Sequence, residues 1–530
     1  MMTSQMVNLN DAMPGRRLLV RWVVRGRLTL ETAMHLGGGG TGVERVDAAV
    51  LRDGREGRPL LPGTTLAGAL RDALADRLGG YRQPEHKDVG VLFGGARTTL
   101  NARQSLLIVF DALGTLPASD AAGGEGVDNG FFGVEVRDGV AISPETGTAE
   151  DHKKYDYEVW PPGTSFDLRV DLLIPKKEPR SDYEPPTESS LLEHLGAALA
   201  TFTDGENGLG ARCSRGLGRF KAVWAARRFE LGSAEGWLDW VLSEHEAPVE
   251  LDPGQGDICR VLNEAAPGAL GSLRLPEDKR KRVEITLDLK VAEDLLVRSP
   301  SAVLGDPDVS HLRSGGKPVI PGTSLGGVMR AQALRIARLV RVHKGDADRW
   351  VCRLFGTRFQ GKQPLSSYEL RASRIMVGEA RLKGSEDRQQ TRIALDRFTQ
   401  GVVDGALFEE QPVVGGRAKV RLELRDHADG ELGLVLLVIK DLLDGTLPVG
   451  GSTSVGRGVL GGTATVRFRG RDGNRQGCEA TLEPGKEPSG EAADQIDKAI
   501  REFHTVALGD VDTADERLAG GERANERTKG

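Results

Sequence analysis

Cysteine is scarce: Cys213, Cys259, Cys352 and Cys478 are the only four in 530 residues, and all lie far apart. That spacing argues against a disulfide framework and against paired metal ligands. Nine scattered histidines form no HExxH or His-x-His cluster, so no zinc is expected. Long apolar runs are missing too. Even residues 432–443 are broken by Lys440 and Asp441, which leaves nothing suited to crossing a bilayer. Arg21 and Arg25 interrupt the apolar residues that follow Arg16 and Arg17, unlike a secretory signal. The expectation is a cytoplasmic protein with no membrane partner. Aromatic residues make up only 5%, so recognition by stacking on many rings is not expected to dominate any nucleic-acid contact. With 71 basic and 77 acidic residues the net charge is −6, which counts against a generic nucleic-acid coat. One stretch departs from this balance. Residues 211–228 hold Arg212, Arg215, Arg219, Lys221, Arg227 and Arg228 without a single Asp or Glu. Taken alone, that is a solvated basic face.

What the sequence does contain is a repeat of itself. Arg58-Pro59-Leu60-Leu61-Pro62-Gly63-Thr64-Thr65-Leu66-Ala67-Gly68 returns as Lys317-Pro318-Val319-Ile320-Pro321-Gly322-Thr323-Ser324-Leu325-Gly326-Gly327, in ungapped register 259 residues later (Gly63 to Gly322). Leu92-Phe93-Gly94 matches Leu354-Phe355-Gly356, and Thr146 roughly matches Thr399. Ser214-Arg215-Gly216-Leu217-Gly218 roughly matches Gly456-Arg457-Gly458-Val459-Leu460. The drifting offset implies loop insertions after a duplication. Alternating apolar residues at 19–30 and 283–291 predict half-buried strands, and 165–173, 418–424, 220–225 and 464–468 fit further strands. Each Pro-Gly-Thr-Thr/Ser segment predicts a helix start, with Thr64 or Thr65, and Thr323 or Ser324, as N-caps. Leu66, Leu70, Leu74 and Leu78 form one apolar face, and Leu325, Met329 and Ile336 form its counterpart. Helices are also expected at 191–202 and 434–443. The order β-α-β…β-α-Gly loop-β predicts an α+β, ferredoxin-like sheet in each half. The expected organisation is a first domain at 15–232, a linker at 233–281 with a short helix near Trp237, a second domain at 282–472, and a flexible acidic tail at 473–530.

These landmarks, in this order, resemble the RAMP superfamily, and within it the backbone subunits of type III CRISPR complexes. The second copy carries Pro321-Gly322-Thr323-Ser324-Leu325, Leu354-Phe355-Gly356, Asp396-Arg397-Phe398-Thr399 and Asp404-Gly405-Ala406-Leu407-Phe408-Glu409. The first carries the glycine-rich loop more clearly, from Gly208 through Gly218. The resemblance implies two tandem RAMP domains with inserted loops and thumb hairpins. It also implies binding of guide RNA and complementary target RNA, with other effector subunits stacked along the guide.

The residues offer chemistry consistent with that. Helix starts at Gly63, Thr64 and Thr65, and at Gly322, Thr323 and Ser324, present free amides to a phosphate, with Arg71 and Arg330 two turns on; a capped helix with a tight turn is the plain alternative. The loops with Arg212, Arg215, Gly216, Gly218 and Arg219, and with Gly456, Arg457 and Gly458, offer amides and guanidinium groups. Backbone gripping would leave sequence to guide–target pairing. Arg397 and Phe398 are candidates for a displaced base, Phe398 by stacking or else as plain core. The family cleaves target RNA with an aspartate between first strand and first helix. Asp47 matches that position, and the offset of 259 lands on Asp306, with Asp308 in reserve. Either aspartate also reads as an ordinary turn residue. The implied cofactor is a divalent cation, Mg2+ or Mn2+, held by Asp47 and Asp306. His311 is an alternative acid or base. His35 is the histidine that a guide-processing endonuclease would need near the first loop. A non-cleaving scaffold, or a duplicated metabolic module, are the remaining readings.

Overall fold

The computed structural model describes residues 18–39, 46–95, 104–118, 133–143, 146–176, 186–203, 205–243, 251, 256–267, 272–300, 306–340, 344–357, 370–469 and 478–508. The chain is a mixed α+β protein with several antiparallel sheets. In the first half, β1 (Leu18–Leu30) leads through a long loop to α1 (Gly63–Gly79). Two short strands, β2 (Leu107–Val109) and β3 (Ala112–Thr115), follow. A hairpin of β4 (Glu135–Ile142) and β5 (Ala149–Val159) projects before β6 (Ser165–Pro175), α2 (Glu188–Thr203) and β7 (Phe220–Glu230). β1 pairs antiparallel with both β6 and β7, and β6 pairs with β2 and β3.

The second half repeats this plan. β8 (Arg282–Val291) is followed by β9 (Val309–His311), α3 (Gly322–Leu339), β10 (Ile375–Val377) and β11 (Ala380–Arg381). Next come β12 (Gln390–Arg392), β13 (Phe408–Gln411), β14 (Arg417–Arg425), α4 (Glu431–Leu443) and β15 (Leu460–Arg469). β8 lies between β14 and β15, as β1 lies between β6 and β7.

Strand alternation builds each core. Val20, Trp22, Val24, Leu28 and Leu30 of β1 point inward beside Leu66, Leu70, Leu74 and Leu78 of α1. Val283, Ile285, Leu287 and Leu289 do the same beside Leu325 and Met329. The expected helical faces are therefore the buried ones, except that Ile336 is only half-buried against the second core.

Three expectations need correction. The helix starts are not capped by hydroxyls: Pro62 and Pro321 are the N-cap residues, and Thr65 and Ser324 donate their backbone N–H to those proline carbonyls. The segment 233–281 is more than a linker. Its helix Ile258–Glu264, capped by Asp257, buries Ile258, Val261 and Leu262 in the first core. The tail is not wholly flexible either. Strand Glu479–Leu482 extends the second sheet, and helix Ala493–Leu508 packs Ile496 and Phe503 into the second core, Phe503 stacking on Trp350 at 5.5 Å. Composition misled there, because an acidic helix with one apolar stripe has the overall make-up of a disordered tail. Residues 509–530 lie outside the described set.

Candidate nucleic-acid interface

The two halves share a register that fixes equivalent positions. In the first, Gly37 pairs with Val50, and Leu51 donates to the carbonyl of Leu36. In the second, Arg298 pairs with His311, and Leu312 donates to the carbonyl of Val297. Ala48 pairs in parallel with Tyr157 of β5, and Val309 pairs in parallel with Glu410 of β13. Asp47 and Asp308 therefore stand one residue before equivalent bridges.

Their bonding agrees. The Asp47 carboxylate accepts from the Asp156 N–H at 3.0 Å, and the Asp47 N–H donates to the Asp156 carboxylate at 2.8 Å. The Asp308 carboxylate accepts from the N–H of Glu409 at 2.9 Å. The structural counterpart of Asp47 is thus Asp308, and Asp306 lies two residues upstream, exposed. The offset of 259 failed because the hairpin closed by Arg52 and Pro59 is two residues longer than the one closed by Arg313 and Pro318. All three aspartates are exposed; residues 40–45 and 301–305, which precede them, lie outside the described residues.

Sequence reading missed a second acid at each place, Asp156 and its equivalent Glu409. It sits on the returning hairpin strand, about a hundred residues away, where no local pattern signals it. Among the described residues no group of three or more His, Cys, Asp or Glu forms a metal cage. Asp47 is exposed and Asp156 half-buried, each carboxylate bonded to the other's backbone N–H, and a hard, largely hydrated cation accepts oxygen donors of this kind.

The glycine-rich loops superimpose in conformation as well. Arg212, Gly216 and Gly218 have φ of 61°, 86° and 69°, and Ser452, Gly456 and Gly458 have 59°, 91° and 79°. A Cβ on Gly218 or Gly458 would lie 1.9 or 2.0 Å from the carbonyl oxygen of Leu209 or Val449, so glycine is required at both. The true alignment is Gly216-Leu217-Gly218 on Gly456-Arg457-Gly458. Arg457 consequently replaces a core leucine. It is 2% exposed, donating to Asp294 at 3.1 Å, to Glu410 at 2.7 Å and to Gln390. It holds the fold and is closed off from any ligand.

Other candidates are likewise spoken for. Gly63 N–H donates to the Asp111 carboxylate at 2.7 Å, where a phosphate was expected. The start of α3 is covered by the first half: a Cβ on Gly322 would lie 2.4 Å from the Arg215 carbonyl, so Thr323 and Ser324 follow a helix end closed by protein. Arg71 forms a two-bonded pair with Glu85, both bonds 2.7 Å. Arg330 donates to the carbonyls of Phe355 and Gly356 at the end of the following helix. His311 is 2% exposed, its Nδ1 accepting from Val297 N–H and its Nε2 bonded to the Val319 carbonyl, and burial lowers its pKa to about 4. It is neutral and structural. His35 is also buried, bonded to the Glu158 carbonyl at 2.7 Å.

What remains outward is narrower. Lys221, Arg227 and Arg228 are paired with Glu31, Asp239 and Glu188. Arg212 stacks its guanidinium over Tyr157 at 4.0 Å and Tyr155 at 4.8 Å. Arg215 is exposed on the loop, and Arg219 is buried at the seam between the halves. Phe398 is 87% exposed, which removes it from the core, and Arg397 lies 5.6 Å from its ring. Asp396 builds that tip by accepting from Phe398 N–H, Thr399 N–H and the Thr399 hydroxyl.

The family comparison accords with this duplicated geometry. The RAMP superfamily model matches residues 27–221 and again 290–460. The chain belongs to the RAMP superfamily, which fits a CRISPR-associated subunit. No curated protein matches it. No helix among the described residues is long and apolar enough to cross a membrane.

Proposed function

We propose that the chain is a tandem backbone subunit of a type III CRISPR ribonucleoprotein, binding guide RNA through its phosphates and cutting complementary target RNA once per half. The strand order within each half supports a ferredoxin-like RAMP domain, two of them fused. The observation that carries the cleavage reading is the recurrence of an exposed aspartate, Asp47 and Asp308, at one register position, each bonded to the returning hairpin strand beside a second acid. In this reading Asp47 with Asp156, and Asp308 with Glu409, would hold a divalent cation, Mg2+ or Mn2+, which would supply charge neutralisation at the scissile phosphate. Alternatively, Asp47 or Asp308 takes the proton from the neighbouring ribose 2′-hydroxyl, whose oxygen bonds to phosphorus to give a 2′,3′-cyclic phosphate as the bond to the 5′-oxygen breaks and that oxygen takes a proton from solvent. The Phe398 tip of the second hairpin holds the cut nucleotide out of the duplex, which allows in-line approach.

Assembly with like subunits is part of the proposal. Within the chain, the first half's glycine loop docks on the second half at Val377–Glu379, where a Cβ on Gly216 would lie 2.2 Å from the Glu379 nitrogen. The equivalent socket of the first half leaves Ile108 and Leu113 37% exposed, and the second half's loop leaves Val455 61% exposed. A contact whose two faces differ repeats head to tail. A neighbouring RAMP subunit fits each free face.

The test uses the assembled ribonucleoprotein with a complementary target carrying deoxyribose at the mapped cut nucleotide. Loss of that cut with unchanged target binding is expected. Cleavage that persists refutes 2′-hydroxyl attack, and a wild-type complex that binds target without cutting leaves the chain as a scaffold.

A further inference from the structure

The duplication keeps a cation in one place while exchanging the residue that supplies it. Register fixes the equivalent positions. Gly37 corresponds to Arg298, because Gly37 bridges Val50 as Arg298 pairs with His311. Arg212 corresponds to Ser452, with φ of 61° and 59°. The residue before each confirms it, since Ala211 N–H donates to the His35 carbonyl as Gly451 N–H donates to that of Leu296. Tyr157 corresponds to Glu410 through the parallel pairings with Ala48 and Val309. The residue type differs at every one of these positions. Even so, each half sets a guanidinium against the last of them. In the first half Arg212 lies 4.0 Å from the Tyr157 ring. In the second, Arg298 reaches the same place from a different element, 3.8 Å from the Glu410 carboxylate and donating to the Ser452 hydroxyl at 3.2 Å.

Neither guanidinium is used up by its own half. Arg212 is half-buried without a carboxylate partner among the described residues, and its Nη1 makes no hydrogen bond to any of them. Arg298 is 58% exposed, and Glu410 already has Arg457 at 2.7 Å and Arg392 at 3.2 Å. What the two arginines share is location. Positions 157 and 410 directly follow the second acids, Asp156 and Glu409, and they pair with the residues that directly follow Asp47 and Asp308. Two carboxylates at one cutting position repel a phosphodiester. Charge on its non-bridging oxygens also grows as the attacking oxygen adds to phosphorus. A guanidinium offsets both, because it keeps its charge at any working pH and its fork of donors matches phosphate oxygens.

We infer that Arg212 and Arg298 are catalytic residues of the first and second cutting positions, each donating to the non-bridging oxygens of the scissile phosphate in the transition state. The inference rests on the cleavage reading above and names the side chain that carries this charge in each half. The exchange supports it: a spot that stays cationic while the residues around it are replaced is held by what the cation does there. A packing role is the competing account, with Arg212 serving as a ring contact and Arg298 as an ion pair.

The test is single-turnover cleavage by the assembled ribonucleoprotein at saturating target, with the two cuts followed separately so that each controls for the other. Arg212→Gln should slow the cut assigned to Asp47 about a hundredfold and leave the other at its wild-type rate, and Arg298→Gln should do the reverse. Target affinity should stay unchanged in both, because the contact strengthens only in the transition state. Arg298→Gly with Ser452→Arg installs the first half's arrangement in the second and should restore most of the lost rate. Wild-type rates at both cuts in the two glutamine variants overturn the inference and leave target cleavage standing. Equal slowing of both cuts by one variant, or a slowed cut that Ser452→Arg fails to restore, makes the arginines packing residues and overturns it as well. Wild type that binds target without cutting removes both readings.

Discussion

At the residue scale the duplication displays its own mutagenesis. Where the first half packs Ala33, Tyr157 and Leu217 into an apolar cluster, the second places Asp294, Glu410 and Arg457 in an ion network. The two sets occupy equivalent sites and have changed together, since a buried ion without its partners is far costlier than either complete set. Arg457→Leu alone should destabilise the second half by about 3–5 kcal/mol, because it strands the Asp294 carboxylate and leaves the buried Glu410 with only the more exposed Arg392 and Arg298. Adding Asp294→Ala and Glu410→Tyr, which transplants the first half's residues, should recover most of that loss. Thermal or denaturant unfolding of the single and triple variants measures it. If the triple variant is no more stable than the single, the two clusters are not interchangeable. This pair also shows where sequence reading fails. The Gly-x-Gly spacing was legible, but a one-motif slip matched Arg457 to an arginine, although its true counterpart is a leucine. Only backbone dihedrals and bridge partners reveal that.

At the element scale, the helices and strands were largely readable because their apolar periodicities coincide with burial. The strand at 19–30 and the Leu66–Leu78 face stand almost as expected. Helix starts were less legible, since Pro-Gly-Thr suggests a hydroxyl cap while proline carbonyls and Asp111 do that work. The hairpin between β9 and α3 is held at His311, and this gives a pH signature. Its folded pKa of about 4 lies below the ordinary 6.5, with burial as the largest cause. A depressed folded pKa means the unfolded chain takes up the proton first. The contribution to stability is therefore complete above about pH 6.5 and is lost as pH falls toward 4, on the order of 3 kcal/mol in all. A glutamine at this site cannot titrate, so His311→Gln should flatten the stability of the second half between those limits in a denaturation series. An equal acid loss in His311→Gln would assign the effect to other groups.

At the scale of the whole molecule, the halves are joined in a fixed relation. The first hairpin reaches the second half through Arg137–Glu379, both side chains 3% exposed, and through Glu135, which accepts from Ser314 and Gly315. On the other side Tyr81 donates to Glu423 at 3.3 Å. Arg137→Ala should loosen the junction by about 3–5 kcal/mol and expose the seam to limited proteolysis, and Arg137→Ala with Glu379→Ala should cost less than the sum. Additive losses would mean that the pair is not coupled. None of this seam was visible in sequence, because its partners lie up to 342 residues apart and share no local pattern.

If each half cuts at the shared register position of Asp47 and Asp308, a cut map of target RNA reveals it. Asp47→Ala, Asp308→Ala and Asp306→Ala variants are compared side by side in the assembled complex. Asp47→Ala and Asp308→Ala should each erase one distinct cut while target binding persists, and Asp306→Ala should leave both. Loss of a cut in Asp306→Ala with Asp308→Ala unaffected, or cleavage unchanged in all three, would mean that the paired register positions are not where target RNA is cut.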